Sequence, residues 1–235
     1  DHTATTYDWD NMPLEYSTNW TQENITQVAT LMRNVGYAFN VTYTPGYTSV
    51  NDTDLPDKIK TCFDYTIETT ALGNYNIPGA INDISVWKDK LKSSLRNDCP
   101  IPYAANNSGT GDSRHMFVVD GYTNNDYFHF NFGWKGNGNG WFTIDAITPS
   151  TGDNYSWTAT GSKHRAYINF KPNKQVTVSV AADPDTAGSV TIDGESVASK
   201  TVDYGTSVTL QATGSNFYGW LVNGEVVSTE ITYIF

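Results

Sequence analysis

The amino-acid sequence predicts an α+β protein with helices first, an antiparallel sheet after them, and a small all-β sandwich-like module at the C-terminal end. Up to about residue 96, apolar residues recur at helical spacing. After Pro100 the period shortens to two, in short runs parted by Asn/Gly-rich turns. Beyond Lys174 the helical spacing is gone, and alternating runs alone remain.

Each element has its own signal. Residues 21–36 read as a helix with Ile25, Val28, Leu31, Met32 and Val35 on one side and Gly36 as its stop. Asp54 and Pro56 open a short second helix that carries Leu55, Ile59 and Phe63. Ser85 is the expected cap of a third, with Val86, Trp87, Leu91 and Leu95 on one face. Residues 101–103, 115–122, 127–132, 141–147 and 165–170 read as strands, with a turn at Thr123-Asn124-Asn125-Asp126. A linker at residues 171–174 divides a first domain, residues 1–172, from a second, residues 173–235. In the second, residues 176–180, 189–192, 207–212, 217–222 and 231–235 alternate apolar and polar, with hairpin dipeptides Asp193-Gly194 and Asn223-Gly224. Neither end carries a terminating signal, so the chain reads as a fragment or a processed product.

Composition narrows the class. A chain of 235 residues with 38% hydrophobic and 14% aromatic residues can bury a substantial core. With 14 Lys+Arg against 25 Asp+Glu, the net charge of -11 argues against nucleic acid as a partner. No apolar run reaches membrane-spanning length. No cluster of His, Cys and carboxylates has ligand spacing, so no metal or other cofactor is expected. The Gly136-Asn137-Gly138-Asn139-Gly140 run leads into a strand and lacks the Gly-Lys-Ser/Thr ending of a phosphate loop.

The chemistry concentrates in two adjacent strands. His115 opens one, and Asn131 sits between aromatics at the end of the next. If the strands pair, an Asn amide can lie beside the imidazole and set its tautomer, as in thiol peptidases. His129 shares the Asn131 face by alternation and is read as structural; His2 and His164 have no spacing partners.

The order of motifs resembles the streptopain/interpain family of bacterial papain-like cysteine peptidases. It runs through Tyr7-Asp8-Trp9, the helix from Val28 to Gly36, Cys62-Phe63-Asp64-Tyr65, Pro100, His115-Met116-Phe117-Val118-Val119-Asp120-Gly121-Tyr122, Phe128-His129-Phe130-Asn131-Phe132-Gly133-Trp134 and Gly140-Trp141-Phe142. The resemblance implies a papain-like fold, endopeptidase action on polypeptide substrates, secretion from a bacterium and an N-terminal propeptide. It makes His115 the general base and acid, and Asn131 its orienting partner. Trp134, Phe132 and Arg114 wall the site, and Gly136, Gly138 and Gly140 form a flexible loop beside it. The family's nucleophile lies in a Cys-Val-Ala-Thr-Ala-like segment upstream of Tyr7, and nothing of that kind is in this chain. Cys62 and Cys99 sit at no helix N-terminus and read as small buried hydrophobes. Arg114 stands where the family has Gly, and Phe132 where it has Trp. These departures leave an inactive pseudopeptidase as one alternative, and the Trp and Tyr content with the β-rich tail leaves a surface adhesin as another. Residues 174–235 resemble internalin-type B-repeat modules, which implies a spacer or an adhesive unit with a host or cell-surface ligand.

Overall fold

The computed structural model describes residues 5–15, 17–73, 80–107, 114–150, 155–184, 188–214 and 216–235. Helix α1 (Gln22–Ala38) starts with a reciprocal cap. Thr21 Oγ1 accepts from the Asn24 N–H at 3.2 Å, and Asn24 Oδ1 accepts from the Thr21 N–H at 2.9 Å. The helix does not stop at Gly36 but runs on to Ala38. Gly36 instead permits a close approach, since a Cβ there would lie 2.3 Å from the Tyr43 hydroxyl oxygen. None of Ile25, Val28, Leu31, Met32 and Val35 is buried, and Met32 is 63% exposed. What ties the helix to the N-terminal segment is polar: buried Asn34 donates through Nδ2 to Thr5 Oγ1 and Tyr7 Oη, both at 3.1 Å.

A small hairpin, β1 (Thr42–Tyr43) with β2 (Thr48–Ser49), precedes helix α2 (Leu55–Phe63). Strand β3 (Tyr65–Leu72) is an addition to the expected set; its Thr and Ile content is a β signal without clean alternation. Helix α3 (Ile84–Arg96) is capped by Asp83, not Ser85. Asp83 Oδ1 accepts from both the Ser85 N–H at 2.8 Å and the Ser85 hydroxyl at 2.7 Å, so Ser85 lies inside the first turn.

Strands β4 (Ile101–Asn107), β5 (His115–Tyr122), β6 (Tyr127–Asn131), β7 (Gly140–Thr143) and β8 (Ser162–Pro172) join β3 in a six-stranded antiparallel sheet of order β3-β8-β4-β5-β6-β7. Helix α3 covers one face, with Trp87 and Leu91 packed in one core with Tyr103, Phe117, Phe130 and Ile168. Lys92 and Lys88 reach from that helix to Asp126 in the β5–β6 turn, and Lys88 also reaches Asp145 at 3.3 Å. These ion pairs pin the hairpin that carries the site.

The C-terminal residues form a second, separate core of Ile192, Val208, Leu210, Ala212 and Trp220. Its strands are β9 (Gln175–Ser179), β10 (Ser189–Ile192), β11 (Ser199–Asp203), β12 (Thr209–Thr213), β13 (Trp220–Val222), β14 (Glu225–Ser228) and β15 (Thr232–Ile234). They pair as β9-β11, β10-β12-β15 and β13-β14. Asn223-Gly224, at φ 52° and 86°, makes the left-handed two-residue turn of the β13–β14 hairpin.

Candidate active site

Strand parity decides what can meet His115. Residues alternate faces along a strand, and laterally paired residues share a face. His115, Phe117 and Val119 therefore share one face of β5, with Met116 and Val118 on the other. Asn131 pairs with Val118, so its side chain belongs to the face opposite His115. It is exposed, and its Oδ1 accepts from the Gly133 N–H at 3.1 Å. The expected Asn131–His115 hydrogen bond is absent, and the ring takes a different partner.

That partner is backbone. His115 Nε2 lies 2.8 Å from the Phe132 carbonyl oxygen. A carbonyl only accepts, so Nε2 carries the proton and a neutral ring keeps its lone pair on Nδ1. The Phe132 carbonyl and the Gly133 N–H belong to one planar peptide unit. Asn131 thus fixes the same peptide that holds the imidazole, from its other edge. The Phe132 N–H donates to Asn139 Oδ1 at 3.0 Å, which restrains the next peptide as well.

The imidazole is enclosed by aromatics. Trp134 stacks on it with ring centroids 4.5 Å apart and planes 21° from parallel. Burial pushes the His115 pKa below its ordinary 6.5, partly countered by the Phe132 carbonyl, which favours the protonated ring. Trp134 thus covers one face of the imidazole. Phe132 is 1% exposed and belongs to the core, yet its ring also stacks beside the imidazole at 6.5 Å and against Trp134 at 5.2 Å, and its carbonyl holds the imidazole. Arg114 is exposed at the entry to β5. Gly136 and Gly138, at φ 83° and 75°, sit in the turn after Trp134, where a left-handed backbone favours glycine. Gly140 is the first residue of β7, not part of that loop, and pairs with Phe130.

Neither cysteine is near the imidazole. His115 is level with Ala105 on β4, and Cys99 lies six residues back along that direction, about 20 Å at strand rise. Cys99 is buried, its thiol donates to the Asn97 carbonyl at 3.2 Å, and burial pushes its pKa up. Cys62 lies in α2, which adjoins the Tyr65 end of β3, whereas Leu72 at the other end is level with His164 and through it with Ala105. His129 stays on the outer face, paired with Asp120 at 2.6 Å and tilted against Trp141. Among the described residues, no group of His, Cys, Asp and Glu could hold a metal ion, and no helix is long and apolar enough to cross a membrane.

Sequence reasoning missed three features. The Phe132 carbonyl leaves no mark on residue type. Tyr155 and Trp157 extend the aromatic stack, and two large aromatics in a Ser/Thr/Gly stretch were the available signal. His164 is fully buried, with Nδ1 2.9 Å from the Tyr103 hydroxyl and Nε2 3.1 Å from the Thr158 carbonyl oxygen.

Comparison with known proteins places the chain in a family. Residues 1–142 match the model of the Peptidase C10 family. The thiol protease/hemagglutinin PrtT of Porphyromonas gingivalis is 26% identical over 180 residues, which are 76% of this chain and 20% of that protein. Streptopain of Streptococcus pyogenes is 26% identical over 147 residues, 61% of this chain and 34% of that protein. The chain thus spans about a fifth to a third of these relatives. The solved structure of active wild-type interpain A cysteine protease from Prevotella intermedia superposes with a TM-score of 0.57 at 32% identity, over 69% of this chain and 64% of that one. A prointerpain A fragment from the same organism gives 0.51 at 30% identity, over 69% and 48%. The predicted α+β, papain-like fold holds, and the chain belongs to the Peptidase C10 family.

Proposed function

We propose that this chain is the histidine-bearing part of a secreted bacterial cysteine endopeptidase, whose nucleophile is supplied by polypeptide outside these 235 residues. The carrying observation is the Nε2-to-carbonyl bond at His115, which leaves Nδ1 as the basic atom. In this reading Nδ1 takes the proton of the incoming cysteine thiol, and the thiolate attacks the scissile carbonyl carbon. Imidazolium Nδ1–H then protonates the departing amine, and water, deprotonated by Nδ1, opens the thioester. The Phe132 carbonyl accepts from Nε2–H in both protonation states, so the ring need not turn during the cycle. Trp134 covers one face and limits the approach of water. Similarity to a prointerpain fragment supports an N-terminal propeptide as well.

The test uses the full-length protein. It is expected to cleave casein, to be labelled at one cysteine upstream of Asp1 by a thiol-directed inhibitor, and to lose both properties in His115→Ala. A folded full-length protein that leaves casein intact and resists alkylation would refute the proposal and leave the pseudopeptidase reading in its place.

A further inference from the structure

Tyr155 and Trp157 lie beyond residues 1–142, which match the family model. Trp157 is held from two sides: its N–H and carbonyl exchange hydrogen bonds with Ile147 at 3.0 and 2.9 Å, and its ring is fully buried. Two residues earlier along extended backbone, Tyr155 projects to the same side. Its ring is 5.0 Å from that of Trp157, with planes 20° apart, and 5.4 Å from that of Trp134, with planes 24° apart. Trp134 in turn lies on the imidazole, while Tyr155 and Trp157 reach it directly at 6.1 and 6.4 Å. The four rings are close to parallel, the offset arrangement that aromatic quadrupoles favour.

The need for support is visible in Trp134 itself. It sits between Gly133 at φ 75° and Lys135 at φ 56°, in a turn closed by one backbone bond from the Asn137 N–H to its carbonyl at 3.0 Å. A turn of this kind sets a Cα position more firmly than the plane of a bulky ring. The buried Trp157 ring provides a rigid floor, and Tyr155 fills the space between that floor and the indole.

We propose that Tyr155, seated on Trp157, is a positioning residue that presses Trp134 against His115 and thereby fixes the plane of the imidazole and favours its protonated form. The role rests on His115 being the catalytic base. A cation over an aromatic face is stabilised by the ring quadrupole, and the effect grows where water is excluded. Arg114 adjoins the ring in sequence, Lys135 adjoins Trp134, and His164 lies two strands away across Ala105 with Lys163 and Arg165 beside it, while Asp120 and His129 pair with each other on the outer face. The Phe132 carbonyl favours the protonated ring from its edge, and the aromatic faces add to it from above the plane.

The experiment is a histidine-resolved NMR titration of this chain, with His115 assigned through His115→Gln. In Tyr155→Ala the His115 pKa is expected to fall by about 0.4–0.7, from the usual strength of one cation–π contact. Its ring-proton signals should move downfield as the indole leaves, and Tyr155→Phe should restore both. The buried His164 signals report whether the fold is intact; if the alanine variant fails to fold, Tyr155→Leu, which keeps bulk but no ring, is read the same way. Unchanged His115 shifts and pKa in a folded variant would overturn the proposal. The titration needs no substrate, so a failure of peptidase activity in the full-length protein would sink the functional reading without altering these signals.

Discussion

Replacing Asn131 separates two accounts of how the imidazole is held. In this structure its amide oxygen grips the Gly133 N–H, on the far edge of the peptide whose carbonyl holds His115. Asn131→Ala removes one hydrogen bond to an exposed donor, a net loss of about 0.5–1.5 kcal/mol, and loosens but does not abolish the peptide's orientation. If that whole loss appeared in the transition state, kcat/KM of the full-length protein would fall about two- to tenfold. A group that directly set the tautomer of the base would cost far more, about 10⁴-fold in the serine-protease analogue. Two measurements apply: kcat/KM on a peptide substrate, and the ¹⁵N shifts of His115, which should keep the Nε2–H form. Asn139→Ala, which frees the Phe132 N–H, is expected to have an effect of similar size. A loss of a thousandfold or more in a folded Asn131→Ala protein, or a switch to Nδ1–H, would refute the peptide-mediated account.

Three further outcomes concern stability. His164 is buried with its pKa lowered chiefly by desolvation, so the unfolded chain binds the proton more readily and stability must fall as pH drops through 6.5 toward the folded value; chemical denaturation between pH 8 and 5 should show that slope, and His164→Gln should flatten it. Leu91, fully buried between α3 and the sheet, should cost about 2–5 kcal/mol when cut to alanine, read as a lower denaturation midpoint at constant slope. Gly188→Ala should lower the thermal transition of the C-terminal core, at a cost of about 1–3 kcal/mol, because its Cβ would lie 2.0 Å from the Thr213 carbonyl oxygen; an unchanged transition would show that this end of the β10–β12 pair yields easily.

The legible part of this protein is what side-chain pattern encodes. Strand β5 is placed to the residue, because the apolar run in His115–Tyr122 is bounded by turn-forming residues at both ends. The end of α1 was misplaced, because Gly36 is required by a contact with Tyr43 that is remote from the helix's own periodicity. Ser85 competed with Asp83 as a cap, and only the carboxylate geometry decides between them. Strands β11 and β14 went unread for lack of a strong apolar alternation; pairing with β9 and β13 makes them strands.

The site shows the same division more sharply. Residue types point to His115, Asn131 and Trp134, and the structure sets Trp134 on the His115 ring, but register excludes a direct Asn–His contact. Asn131 stands opposite Val118, three residues from His115 and therefore on the other face of β5. An amide at position 131 can therefore serve His115 only through the backbone, and the planar peptide between Phe132 and Gly133 is the rigid link that makes this service effective. The side chain at position 132 is then free to be chosen for the core, which is why a phenylalanine can stand there while the carbonyl does the orienting. Departure from a family residue at such a position says little about loss of activity. The decisive residue is the one whose side chain sits on the ring, Trp134, together with the tyrosine and tryptophan stacked behind it.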